Sequence, residues 1–103
     1  MNQLENLKRD YRAAFLRYLP RRDEAALHLG YLIGRSAVSQ GISILDLAQV
    51  HHEVFLEVLE DTRGEDLNRI ATAASEFFIE VLATAEMTRR GFLARSEADQ
   101  PEA

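Results

Sequence analysis

Apolar residues recur along this chain every three to four positions, and no stretch alternates with period two. That spacing predicts helices, and four segments carry it. The first runs from about Asn2 to Leu19, with Leu4, Leu7, Tyr11, Ala14, Phe15 and Tyr18 on one face. Pro20 has no N–H to give a helix and restricts Leu19, so this segment is predicted to stop there. Its other faces carry Lys8, Arg9, Arg12 and Arg17, with Glu5 and Asp10 among them. The second segment opens on Asp23 as an N-cap and ends at Gln40, with Gly41 as the left-handed terminator. Leu27, Tyr31, Gly34 and Val38 define one face of it, while Leu29, Leu32 and Ile33 lie on others. A helix apolar on most sides is buried on most sides. A chain of this size cannot easily cover it alone, which points to a partner or a second copy. Gly30 and Gly34 stand one turn apart in its interior, and each costs roughly 1 kcal/mol against alanine. A close approach of another helix backbone would offset that cost.

The third segment spans Ser43 to Asp61. Ser43 is its predicted cap, with Asp46 three residues on and Ile42 placed to staple against Leu47. Leu47, His51, Val54 and Val58 share one face; Asp46, Glu53, Glu57 and Glu60 share the opposite one. Leu45, His52, Leu56 and Leu59 make a second apolar edge. The fourth segment begins near Thr62–Glu65, which reads as a capping box, and runs to about Phe92. Leu67, Ile70, Ala74, Phe77, Phe78, Val81, Leu82 and Ala85 form its core stripe. Ile79, Ala83 and Met87 form a second apolar stripe on the far side. Either the first helix covers one end of that stripe, or it is offered to a partner. His28 and Leu32 are candidate neighbours of this surface. The expected architecture is an all-α, four-helix domain of antiparallel helices with short turns over residues 1–95, as a homodimer. Residues 96–103 read as a disordered acidic tail or the start of a linker.

Composition narrows the function. With 103 residues the chain is one small domain. Twelve Lys and Arg against 17 Asp and Glu leave a net charge of −5, which gives no footprint for nucleic acid or anionic lipid. No cysteine is present, so disulfides, thiolate metal sites and cysteine nucleophiles are excluded. No apolar run approaches the roughly 20 residues of a membrane span, and the start reads as a charged helix rather than a signal peptide. The expectation is a cytoplasmic protein.

The histidines and paired carboxylates are the remaining candidates for chemistry. His51 and His52 are adjacent, so on a helix they point about 100° apart. The Glu-x-x-His spacing of di-iron bundles is absent, since positions 25, 48 and 49 are Ala25, Ala48 and Gln49. His51 therefore reads as a core-edge histidine bonded to a neighbour, and His52 as amphipathic surface. The carboxylate pairs Glu53/Glu57 and Glu76/Glu80 read as solvated faces. No metal, cofactor or catalytic residue is implied, and the chain reads as no enzyme. The segment Ala37–Ser43 between two helices resembles a helix-turn-helix, which makes a small DNA-binding regulator the alternative function. Against it, the would-be recognition helix Ser43–Asp61 contains no Lys or Arg. The basic first helix is placed to pair with that acidic third helix, in the same or another subunit.

Tyr11, Tyr18-Leu19, Leu27, Gly34-Arg35, Gly41-Ile42-Ser43, Asp46-Leu47, His51-His52, Phe77-Phe78, Glu80, Glu86-Met87 and Arg90-Gly91, in that order and spacing, resemble the N-terminal domain of RsbU-type phosphoserine phosphatases. The resemblance covers roughly Leu4 to Phe92. It implies an all-α domain of four helices that dimerises and acts in bacterial stress signalling by partner switching. In that family the domain is regulatory: it receives a switch-kinase-like protein, and this activates a phosphatase domain placed C-terminally. The sequence in hand ends at Ala103 without such a domain, so catalysis does not carry over. The partner-binding residues expected here, Ile79, Ala83, Met87, His28 and Leu32, come from the stripe rather than from the resemblance.

Overall fold

A computed structural model describes residues 3–99, and the side chains of residues 3–93. Helix α1 spans Gln3–Arg21, α2 Glu24–Ser39, α3 Ile44–Glu60 and α4 Leu67–Asp99, with a single 3₁₀ turn at Gly64–Asp66. No strand occurs among the described residues. Successive helices run antiparallel. As a result α1 and α3 are parallel, with Lys8 meeting Glu53 and Arg12 meeting Glu57. Helices α2 and α4 are parallel too, with Gly30 against Phe77 and Gly34 against Val81 and Ala85.

Local signals explain most of the boundaries. Asp23 accepts from the Ala26 N–H at 2.8 Å, and Ser43 from the Asp46 N–H at 3.0 Å. Helix α2 ends in a Schellman motif: the Ile42 N–H donates to the Ala37 carbonyl, the Gly41 N–H donates to that of Val38, and Gly41 sits at φ 74°.

Three boundaries differ from expectation. Pro20 lies inside α1 and does not stop it at Leu19. Pro20 forfeits the hydrogen bond to the Leu16 carbonyl and crowds that carbonyl, and α1 goes on for one residue more. The helix closes two residues later, where Arg22 takes φ 50° and its N–H donates to the Tyr18 carbonyl at 2.7 Å. Thr62 does not cap α4: its hydroxyl donates to the Val58 carbonyl at 2.7 Å and closes α3 instead. Helix α4 continues past Phe92 to Asp99, because nothing before Pro101 breaks a stretch rich in Ala, Arg and Glu. Of the segment read as a tail, residues 96–99 thus fall in α4. Residues 100–103, like Asn2 at the predicted start of α1, lie outside the described residues.

The core is aromatic. Tyr11, Phe15 and Phe77 are completely buried. Phe77 meets the other two rings edge-to-face, at centroid distances of 5.3 and 5.7 Å. Leu47, Val54 and Val81 fill the remaining space without exposure.

Helix α2 packs most extensively on α4, and its two glycines make this possible. A Cβ at Gly34 would stand 2.6 Å from the Val81 carbonyl oxygen, and one at Gly30 would stand 3.2 Å from the Phe77 ring. The expected close backbone approach is therefore present. It also rotates the buried face of α2 to Ala26, Gly30, Ile33, Gly34 and Ala37, leaving Leu27, Tyr31 and Val38 half-buried beside it. On α4 the core stripe gains Ala73 and Thr84, while Leu67 is exposed.

Candidate partner-binding surface

Helix α4 is 33 residues long, about 50 Å at 1.5 Å per residue. Ile70, Ala73, Ala74, Phe77, Val81, Thr84 and Ala85 face the other helices and are buried. Ile79, Ala83 and Met87 fall on the opposite side. Ile79 is 64% exposed, Met87 is 73% exposed, and Ala83 is open to solvent. Helix α1 therefore leaves the stripe uncovered. Its borders are polar and ordered. Glu76, one turn before Ile79, accepts from the Tyr18 hydroxyl at 2.9 Å and from Arg22 at 2.8 and 2.5 Å. The Arg22 guanidinium, with the Tyr18 hydroxyl second, holds the Glu76 carboxyl below the usual range. Glu86 pairs with Arg90 at 3.1 Å on the distal side. This clasp ties the corner between α1 and α2 to the middle of α4. It escaped the sequence reading because it depends on the left-handed turn at Arg22.

The five predicted residues are divided between two helices, with His28 and Leu32 on α2 and Ile79, Ala83 and Met87 on α4. Both α2 residues are exposed. His28 stacks on the half-buried Tyr31 at 5.2 Å, and Arg35 donates to the Tyr31 hydroxyl at 3.0 Å. Leu32, 47% exposed, lines a cleft between α1 and α2.

The histidine reading is resolved by geometry. Nδ1 of His51 lies 2.6 Å from the Tyr11 hydroxyl, and the imidazole stacks on Phe78 at 4.1 Å and 4°. Burial, with a smaller contribution from His52, pushes the His51 pKa down to about 4. Burial raises that of Tyr11. Both groups are thus held neutral near pH 7, and the pair pins α1, α3 and α4 together. No group of three or more His, Asp or Glu side chains suited to a metal occurs among the described residues.

Two carboxylates of the acidic face of α3 pair within the chain. Lys8 meets Glu53 at 3.1 Å, and Arg12 makes a two-pronged contact with Glu57 at 2.7 and 2.9 Å. The α2–α3 turn thus presents a helix without cations, which counts against DNA docking. No described helix is long and apolar enough to cross a membrane.

The family model for the N-terminal domain of phosphoserine phosphatase RsbU matches residues 9–88. The chain belongs to the RsbU N-terminal domain family. That places it with the regulatory domains of partner-switching phosphatases. No curated protein and no solved structure matches the chain. Many residues that carry the family resemblance act here in packing and capping: Tyr11, Tyr18, Leu19, Gly34, Leu47 and Phe77 are buried, Gly41 ends α2 and Ser43 opens α3.

Proposed function

We propose that this RsbU-type domain is a non-catalytic, cytoplasmic signalling module that dimerises and receives a switch-kinase-like protein in a bacterial stress-response partner-switching pathway. The observation that carries the reading is the open apolar stripe Ile79–Ala83–Met87 on a helix whose other face is fully used in the core. Such a stripe, bordered by the Arg22–Glu76 clasp and the Glu86–Arg90 pair, suits a partner helix or a shallow groove of a folded partner. The α4 helix supplies the route for a response. Binding biases the position of α4 within the dimer, and an effector joined to that helix reads the change.

The test is Ile79→Asp, with binding of the cognate switch-kinase-like protein measured by calorimetry. Loss of binding with helicity and oligomeric state unchanged supports the proposal. Undiminished binding refutes the stripe as the docking site. Unfolding is not expected, since Ile79 is mostly in water; Met87→Asp provides a second variant at an even more exposed position.

A further inference from the structure

We infer that the cleft between α1 and α2 is the surface on which a second copy of this chain docks, two-fold and antiparallel, so that Asp10 of each copy meets Arg17 of the other. The inference rests on the proposal that the domain dimerises, and it deepens that proposal by naming the surface.

Three observations support it. The cleft, of about 340 Å³, has an apolar floor of Ala13, Ala14, Leu29, Leu32 and Ile33, and Leu32 stands 47% exposed at its edge. The row of α2 that borders it, Leu29, Leu32, Ser36 and Gln40, carries no charge over its whole length. Depletion of charge at the centre of a surface marks the buried part of an interface.

The third observation selects the occupant. Asp10 and Arg17 sit on the α1 rim of the cleft, seven residues and about 10 Å apart, with the small Ala13 between them. A two-fold axis through that alanine lays α1 antiparallel on its copy. Each carboxylate is then brought to a guanidinium, and the short side chain lets the backbones approach. The layout is self-complementary, which an isologous interface requires. Arg17 is available for it, because it makes no ion pair among the described residues. Asp10 has only its chain neighbour Arg9, at 3.4 Å and in the open. The α4 stripe lies elsewhere, so this dimer leaves the partner surface free.

The experiment is sedimentation equilibrium on the full chain and four variants, with helicity followed by circular dichroism. Leu32→Glu and Arg17→Asp are each expected to weaken the dimer by at least about tenfold. The first places a charge in the apolar floor, and the second sets two carboxylates against each other. The double variant Asp10→Arg/Arg17→Asp is expected to restore the wild-type constant, because the pairs re-form with reversed sign. Ser36→Glu repeats the first test from the neighbouring rim position, should Leu32→Glu lose helicity. A wild-type monomer at concentrations on the order of 100 μM overturns the inference together with the dimer proposal. A wild-type dimer indifferent to all variants overturns the cleft and leaves dimerisation standing. Weakening by the single variants without restoration by the double one overturns the antiparallel arrangement.

Discussion

Replacing Gly34 with alanine tests the central contact of the fold. In an isolated helix the change is favourable by about 1 kcal/mol, because alanine loses less backbone freedom on folding. Here the added Cβ would stand 2.6 Å from the Val81 carbonyl oxygen, 2.9 Å from Thr84 Cβ and 3.1 Å from the Ala85 backbone nitrogen. Two of these three atoms are main chain of α4, so no rotamer change relieves the clash and the two helices must separate. Separation also loosens Phe77 and Val81, which are completely buried beside it. Overpacking of this kind costs about 1–3 kcal/mol, and backbone contacts belong at the upper end. After the propensity gain, the net loss is about 1–2 kcal/mol.

Gly30 is the internal control. Its Cβ would meet the Phe77 ring at 3.2 Å and the Val81 side chain at 3.4 Å, both able to yield by a few tenths of an ångström. Gly30→Ala should therefore lie within about 1 kcal/mol of wild type, because propensity and crowding oppose each other. The assay is urea unfolding followed by circular dichroism at one fixed protein concentration, since association would add to apparent stability. The Gly34→Ala midpoint falls with unchanged slope, and its melting temperature drops by about 5–15 °C. A Gly34→Ala protein as stable as wild type refutes the reasoning, and so does a Gly30→Ala protein less stable than Gly34→Ala.

Other expectations follow from single residues. His51 is neutral in the fold with its pKa lowered to about 4 from 6.5, so its contribution to stability is complete above pH 6.5 and lost as pH falls towards 4. The full shift corresponds to about 3 kcal/mol, and partial solvent access reduces this to about 1–2. An imidazole titration by NMR in the folded protein checks it, and a His51 midpoint near 6.5 would count against the packed Tyr11–His51 pair. Gly41→Ala should cost about 1 kcal/mol from its positive φ alone, as no atom lies within 4 Å of the new Cβ. Chemical denaturation that shows no loss would remove the left-handed cap from the account. Glu57→Gln should cost less than about 1 kcal/mol, a difference that shrinks in high salt because the Lys8 and Arg12 pairs are solvent-exposed.

The architecture was legible because each helix declares itself twice, by spacing and by its ends. Asp23, Ser43 and Gly41 act as their residue types predict. So do the paired glycines of α2, whose cost made sense only with a helix backbone close by. What was not legible depends on relations between helices. Spacing shows that α2 is apolar on many sides, but only its contact with α4 selects Ala26, Ile33 and Ala37 over Leu27 and Tyr31 for burial. Pro20 and Thr62 misled for a different reason. Each residue type serves at either side of a helix boundary, and tertiary structure decides which.

The two surfaces argued here sit on opposite sides of one mechanical connection. Gly34 brings the α2 backbone against that of α4, and Gly30 seats it on the Phe77 ring. A second copy on the outer side of α2 and a partner on the outer side of α4 would therefore press on the same rigid pair. The Arg22–Glu76 clasp adds α1 to that unit through the corner that precedes α2. Coupling between partner binding and dimer geometry then needs no flexible relay; it follows from packing too tight to absorb a displacement. Gly34→Ala, which forces the pair apart, should weaken this coupling more than it weakens either contact alone. Partner affinity and the dimer constant, each measured with and without the other ligand in place, would show the loss as a smaller difference between the two conditions.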